Sequence, residues 1–332
     1  MNNTWLLPAT FVFSLLGCCL IIWMSKGRHW LDIPNERSSH ATPTPTSGGM
    51  AFVSVFCVTA LLAFTMEDPG YNYFLVIFLC FSVAILGLLD DIFQLGIGPR
   101  ISTQAVAVLG ILAIFGIPVF PFPGFILNIG FMGYLLIFVA MLWFINLFNF
   151  MDGLDGIAAT ETLFILLSII WLTFTDGSEG LTTLLLLVVA CVSGFLLVNF
   201  PPARIFMGDS GSNFLGFILG VAALISTTRG FTNIWVWGIL AGVFIVDATY
   251  TLVKRMSGGE TWYFAHRKHA YQIAARHLNS HVRVVIFVLV INVFWLLPLA
   301  WLCHRYADWG SVLMLLAWLP LLLLAKKLKA GE

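Results

Sequence analysis

The chain has 332 residues, 60% of them hydrophobic and 10% charged, and its mean hydropathy is +0.98. Sixteen Lys and Arg balance sixteen Asp and Glu. This composition excludes a soluble domain, and a net charge of zero gives no reason to expect a nucleic-acid partner.

A chain this apolar supplies several membrane spans of about 20 residues each. In order they are Trp5–Met24, Met50–Met66, Tyr73–Leu89, Ile101–Ile117, Phe131–Ile145 and Ile157–Thr175, then Leu181–Val198, Phe214–Thr228, Ile234–Leu252, Val284–Cys303 and Ser311–Ala325. The reading is an all-α polytopic integral membrane protein with about eleven transmembrane helices, a single domain over residues 1–332. No cation precedes the first apolar run, so it reads as a retained span and not a cleaved signal peptide. Trp5, Trp235 and Trp309 sit near span ends, as interface anchors do.

The positive charges test the parity of the spans. With the N-terminus outside, one set of loops holds Lys26, Arg28, Arg37, Arg100, Arg204, Lys254, Arg255, Arg267, Lys268, Arg276, Arg283, Lys326, Lys327 and Lys329. The opposite set holds only Arg229 and Arg305. Fourteen against two predicts an N-terminus outside and a cytoplasmic C-terminus. The six cysteines fall in apolar runs without metal-ligand spacing and read as small buried hydrophobes.

Polar chemistry collects in the loops on the basic side, residues 27–49, 90–100, 146–156, 199–213 and 253–283. The first loop, D-I-P-N-E-R-S-S-H from Asp32 to His40, offers Arg37, Ser38, Ser39 and His40 to an anion, or is a solvated linker. Asp90 and Asp91 end the third span. Adjacent carboxylates repel unless a cation or proton relieves them, so they are candidates for metal or proton handling. Asn146, Asn149 and Asp152 repeat at i, i+3, i+6 and share a helix face, with Asp155 a turn further if the helix continues. Oxygen ligands at a membrane boundary suit Mg²⁺, while the plainer reading is a capped helix end. In G-D-S-G-S, Gly208–Ser212, exposed amides at a helix start can receive a phosphate oxygen and Asp209 a metal. An ordinary N-cap explains the same residues. The basic loop carries His266, Arg267 and His269 more densely than orientation requires, and Arg can grip a phosphate in bidentate fashion. As a zinc site it is poor. Asp247, inside a span, is either functional or a structural partner for Arg255 or a hydroxyl.

Taken together, D-I-P-N-E-R-x-x-H…G-G (Asp32–Gly49), L-D-D (Leu89–Asp91), N-x-x-N-x-x-D-G-x-D-G (Asn146–Gly156), F-M-G-D-S-G-S (Phe206–Ser212), V-D-A-T (Val246–Thr249) and H-R-x-H-x-Y-Q (His266–Gln272) resemble the polyprenyl-phosphate N-acetylhexosamine-1-phosphate transferase family, of the bacterial glycosyltransferase family 4 type. The His loop looks most like that of the O-antigen-initiating branch and departs from the triple-His loop of the peptidoglycan enzyme.

The resemblance implies a phosphoglycosyl transferase that is Mg²⁺-dependent, with Mn²⁺ as a substitute. Its substrates would be undecaprenyl phosphate and a UDP-N-acetylhexosamine (GlcNAc, GalNAc or a 2-acetamido-2,6-dideoxyhexose), and UMP its product. It would lie in the bacterial inner membrane among membrane lipids; a homodimer stays open. Asn149 and Asp209 map to metal ligands, and Asp90 and Asp91 to the catalytic pair that handles the lipid phosphate or supports the metal. Asp152 and Asp155 map to the nucleotide-sugar pocket, with Asn146 on the substrate side, and His266, Arg267 and His269 to the diphosphate. A secondary transporter and a non-catalytic assembly protein are the other classes. Little polar character midway along the spans argues against the first, and the joint presence of Asn149, Asp152 and Asp209 against the second.

Overall fold

The computed structural model describes residues 5–25, 31–32, 43–67, 71–174, 179–260 and 266–332. Most of the first polar loop, including Arg37, Ser38, Ser39 and His40, lies outside the described residues.

Helices α1 (Leu6–Met24), α2 (Gly48–Glu67), α3 (Tyr71–Phe93), α4 (Ile97–Phe115) and α5 (Gly130–Met151) come first, followed by α6 (Ile157–Leu172), α7 (Glu179–Asn199) and α8 (Gly208–Thr228). Then come α9 (Ile234–Leu240), α10 (Gly242–Ser257), α11 (Ala270–Leu278), α12 (His281–Ile291), α13 (Leu297–Arg305) and α14 (Gly310–Lys327). A π-helical turn, Asn292–Leu296, joins α12 to α13 into one long span. A short 3-10 turn, Ala307–Trp309, and two small antiparallel hairpins, Leu31–Asp32 with Thr44–Pro45 and Phe120–Phe122 with Phe125–Leu127, complete the described chain.

Among the described residues nine helices are long and apolar enough to cross a bilayer, and a bent pair makes a tenth. The eleven expected spans map onto these ten plus α6, with two differences. α6 has 16 residues, about 24 Å at 1.5 Å per residue, short of a bilayer core of about 30 Å. The run Ile234–Leu252 is not one straight helix: it breaks at Ala241, where α9 and α10 meet at 77°. Such a break leaves carbonyls without helical partners, and lipid offers none. Trp318 Nε1 on α14 donates to one of them, Gly238 O, at 2.9 Å.

α8 is the hub. Its window is 89% buried within the protein, against 22% for α1 and 17% for α14, so the last two face outward. Phe214 on α8 packs edge-on against Phe52 and Phe56 of α2, at ring separations of 6.0 and 5.2 Å. Two glycines bring neighbours unusually close to this hub. A Cβ on Gly216 of α8 would come within 2.8 Å of the Ile145 Cα of α5, and one on Gly87 of α3 would collide with the backbone of Asp209. Where burial against lipid gives little drive to associate, such small residues let packing hold helices together. The result is that the ends of α3 and α5 meet the start of α8.

Candidate active site

Asp91, near the end of α3, faces the first turn of α8. Its Oδ1 accepts the backbone N–H of Asp209 at 3.0 Å, and its Oδ2 lies 3.5 Å from the N–H of Ser210. A carboxylate at a helix N-terminus satisfies orphan donors and complements the macrodipole. This corrects the expectation of exposed amides ready for a phosphate oxygen: an internal carboxylate already occupies them. Neither Asp209 nor Ser210 is the N-cap; Met207 is, and it makes no side-chain capping bond.

Inside the protein a cation offsets the repulsion between the adjacent Asp90 and Asp91 on one side only. Asp90 is buried and pairs with Arg100 at 3.0 Å. The same guanidinium lies 3.6 Å from Asp209 Oδ2, bridging the two carboxylates. Arg100 entered the sequence reading only as a loop charge; its signal was its place as the one cation between the third and fourth spans.

Asn149, on the last turns of α5, donates through Nδ2 to Asp209 Oδ1 and to Ser212 Oγ, both at 2.8 Å. The two residues expected as metal ligands therefore touch, although 60 residues separate them. Asn146 lies one turn deeper. It donates to Gln104 Oε1 at 2.8 Å, and Gln104 donates to Asn213 at 3.4 Å, an amide chain that ties α4, α5 and α8 together.

The helix does not continue through Asp152. α5 stops at Met151, Asp152 is its C-cap, and a turn leads into α6. Burial, with Asp209, Asp155 and Asp91 adding repulsion, pushes the Asp152 carboxyl well above its ordinary range. Asp155 shows the opposite balance. Burial would raise it, but hydrogen bonds from His281 and the Ala203 N–H outweigh burial and lower it. Its oxygens lie 3.0 Å from Ala203 N and 3.3 Å from His281 Nδ1. Asp155 thus clamps the turn to the segment before α8 and to the start of α12.

The basic loop approaches the same turn. The His266 and His269 rings are 4.7 Å apart, and His269 stacks on Tyr271 at 5.7 Å. Tyr271 Oη donates to Phe150 O at 2.9 Å, two residues from Asp152. Burial, then His269, Arg255 and Lys268, lower the His266 imidazole to about 4. Arg276 donates to Arg267 O at 2.9 Å, and the Gly331 N–H donates to Lys268 O at 2.8 Å, so the loop backbone is braced from two sides. Arg255 does not reach Asp247; it pairs with Glu260, which also pairs with Lys268. Asp247 bonds the Thr251 hydroxyl at 3.1 Å, as one of the two structural readings expected.

The described residues contain no group of three His, Cys, Asp or Glu placed to hold a metal by themselves. The donor set is nonetheless of the right kind for Mg²⁺, which takes one or two carboxylates, keeps waters and is completed by substrate phosphates. Asp209 and Ser212 offer oxygens at one point; Asn149 presents its Nδ2 there and would offer its Oδ1 with the amide turned over, and the acidic side chains of Asp91 and Asp152 stand around it.

Residues 73–227 match the sequence model of glycosyl transferase family 4. The chain is 30% identical over 271 residues to a Bacillus subtilis (strain 168) protein named probable undecaprenyl-phosphate N-acetylglucosaminyl 1-phosphate transferase, covering 80% of this chain and 75% of that one. It is 28% identical over 298 residues to the Thermotoga maritima undecaprenyl-phosphate alpha-N-acetylglucosaminyl 1-phosphate transferase, covering 87% and 88%. A Moorella thermoacetica phospho-N-acetylmuramoyl-pentapeptide-transferase is 28% identical over 277 residues, covering 77% and 81%. The chain belongs to the polyprenyl-phosphate N-acetylhexosamine-1-phosphate transferases, glycosyl transferase family 4.

Proposed function

We propose that the protein transfers N-acetylhexosamine-1-phosphate from a UDP-sugar to undecaprenyl phosphate, releasing UMP, at the cytoplasmic face of the bacterial inner membrane. The product starts a cell-surface polysaccharide of the O-antigen kind. One observation carries this reading. Asn149, Asp209 and the carboxylates around them meet a basic, histidine-bearing loop at one end of a bundle of apolar helices. A phosphorylated polyprenol needs such a place, with its tail in lipid and its head at the interface. A nucleotide sugar arrives there from water.

Phosphoryl transfer asks a protein mainly for positioning and for compensation of charge. Asp209 and Asn149 are the residues to hold Mg²⁺, or Mn²⁺ in its place. When bound, the ion would neutralise charge on the diphosphate and polarise its phosphoryl oxygens. Arg267 holds the diphosphate through its planar fork, with His266 and His269 beside it. Asp90 fixes Arg100 at the lip of the site, and Asp91 fixes the start of α8. Asp152 lines the turn where the nucleotide sugar lies, while Asp155 supports that turn from behind. An oxygen of the lipid phosphate, already anionic, attacks the phosphorus that bears the sugar. The bond from that phosphorus to the bridging oxygen breaks, and UMP leaves with the electron pair. No base is needed to make this nucleophile.

The test is purified protein in detergent with undecaprenyl phosphate, Mg²⁺ and separate UDP-GlcNAc, UDP-GalNAc and UDP-2-acetamido-2,6-dideoxyhexose donors. UMP release that depends on both lipid and one of these sugars supports the reading and names the sugar. Uptake of nucleotide sugar into vesicles without UMP release would mark a transporter instead.

A further inference from the structure

The basic loop ends where α11 begins, and the first donors of that helix do not face water. Asp247, on α10, accepts both: the Ala270 N–H at 2.8 Å through Oδ1 and the Tyr271 N–H at 2.9 Å through Oδ2. The carboxylate is 5% exposed, and the Thr251 hydroxyl donates to the same Oδ1 at 3.1 Å. His269 Nδ1 lies 3.4 Å from Oδ1 as well, at ion-pair distance. A buried carboxylate is costly unless it is fully partnered. Here the partners are the amides that open α11, 23 and 24 residues further along the chain.

α11 has nine residues, below the ~12–15 at which an isolated helix becomes even marginal in water. Its orientation is therefore set by what it touches. At its N-terminus that is Asp247. On its flank it is Tyr271, whose hydroxyl donates to Phe150 O at the end of α5. Between these two clasps run the adjoining rings of His266, tilted 32° against His269, and of His269, stacked on Tyr271, ending beside Asp152. Gly153 is part of the fit, because a Cβ there would collide with the Tyr271 hydroxyl.

We propose that Asp247 is the positioning residue of the diphosphate-binding loop: it holds the N-terminus of α11 so that His266, Arg267 and His269 stand against the Asp152 and Asp209 cluster. The inference rests on the reading of that loop as diphosphate-binding. It assigns to Asp247 control of nucleotide-sugar affinity and none of lipid-phosphate affinity, since its partners lie on the end of the loop, on the first turn of α11 and on α10 itself.

The experiment uses the full chain in detergent and compares wild type with Asp247→Ala and Asp247→Asn. Hydrogen exchange over residues 266–272 reads the docking of the loop, and steady-state UMP release reads KM for each substrate separately. In Asp247→Ala, exchange at 266–272 should accelerate while the rest of the bundle keeps its protection. KM for the UDP-sugar should rise on the order of tenfold, as for one lost charge-assisted hydrogen bond, with KM for the lipid phosphate unchanged. Asp247→Asn keeps one acceptor oxygen and should recover part of the affinity. Unaltered exchange at 266–272, or a fall in kcat with both KM values unmoved, would overturn the proposal. Should Asp247→Ala not fold, Tyr271→Phe removes the second clasp and keeps the ring. It should shift the same KM in the same direction, and no shift in either readout would also overturn the proposal. Failure of the underlying reading looks different: wild-type protein would release no UMP with any donor.

Discussion

The carboxylate of Asp91 accepts the backbone N–H of Asp209 at 3.0 Å, so the residue proposed to hold the metal is itself held by its neighbour on α3. Of the two adjacent aspartates, one makes an ion pair and the other caps a helix. Losing the cap should cost about 0.5–2 kcal/mol of stability, so Asp91→Ala should lower the unfolding midpoint in detergent, and Asp91→Asn, which keeps an acceptor, should lower it less. Thermal unfolding beside UMP release checks this. Lost turnover with an unmoved midpoint would give Asp91 a chemical role instead.

The approach of α3 to that helix depends on Gly87. Gly87→Val should force the backbones apart, destabilising the bundle by about 1–3 kcal/mol and reducing turnover. Gly96→Ser, at the N-cap of α4, where a Cβ meets nothing within 4 Å and Ser is a favoured cap, is the control and should leave both quantities near wild type.

Much of this arrangement was legible in the chain, for reasons that differ by element. The spans were legible because a bilayer imposes length and apolarity on every helix that crosses it. The break at Ala241 was not, because Ile234–Val246 is continuously apolar and carries no Pro to mark it. Asn149 and Asp209 came from recognisable motifs, but their 2.8 Å contact is a product of packing. The division of labour between Asp90 and Asp91 was hidden, since adjacent carboxylates look alike until a partner chooses each one. Asp247 was noticed as an intramembrane acid, yet its main partners are backbone amides, which no sequence pattern identifies.

Arg267→Lys separates a diphosphate grip from general electrostatics. Lys keeps the charge but loses the second hydrogen bond of the fork, worth about 1.5–3 kcal/mol, so kcat/KM should fall on the order of ten- to hundredfold. Lys268→Gln loses only a solvent-screened surface pair with Glu260 and should matter little. Small, equal, salt-sensitive losses in the two variants would remove Arg267 from the site.

The His266 imidazole, lowered to about 4 first by burial and then by His269, is neutral at pH 7 in the free protein. A bound diphosphate favours its protonated form and raises that value. Nucleotide binding should therefore take up a proton and strengthen as pH falls through the raised value, levelling off below about 4. Calorimetric titration with UMP and UDP in two buffers of different ionisation enthalpy measures the uptake. A wild-type pH slope no steeper than that of His266→Ala would contradict it.

The charge split predicts a sidedness that labelling can check. In a cysteine-free background, Asn128→Cys should react with an impermeant thiol reagent in intact spheroplasts, and Ser257→Cys only after the membrane is opened. The reverse pattern would invert the topology and place the site outside.

The most direct test of the central claim follows the two phosphates of the donor. Purified protein is given undecaprenyl phosphate, Mg²⁺ and a UDP-N-acetylhexosamine labelled separately at the α- or β-phosphate. β-Label should enter the lipid together with the sugar, α-label should appear as UMP, and Asp209→Ala should abolish both while its helical content stays intact. Release of β-label as UDP, with only the sugar reaching the lipid, would contradict it, as would full activity in Asp209→Ala.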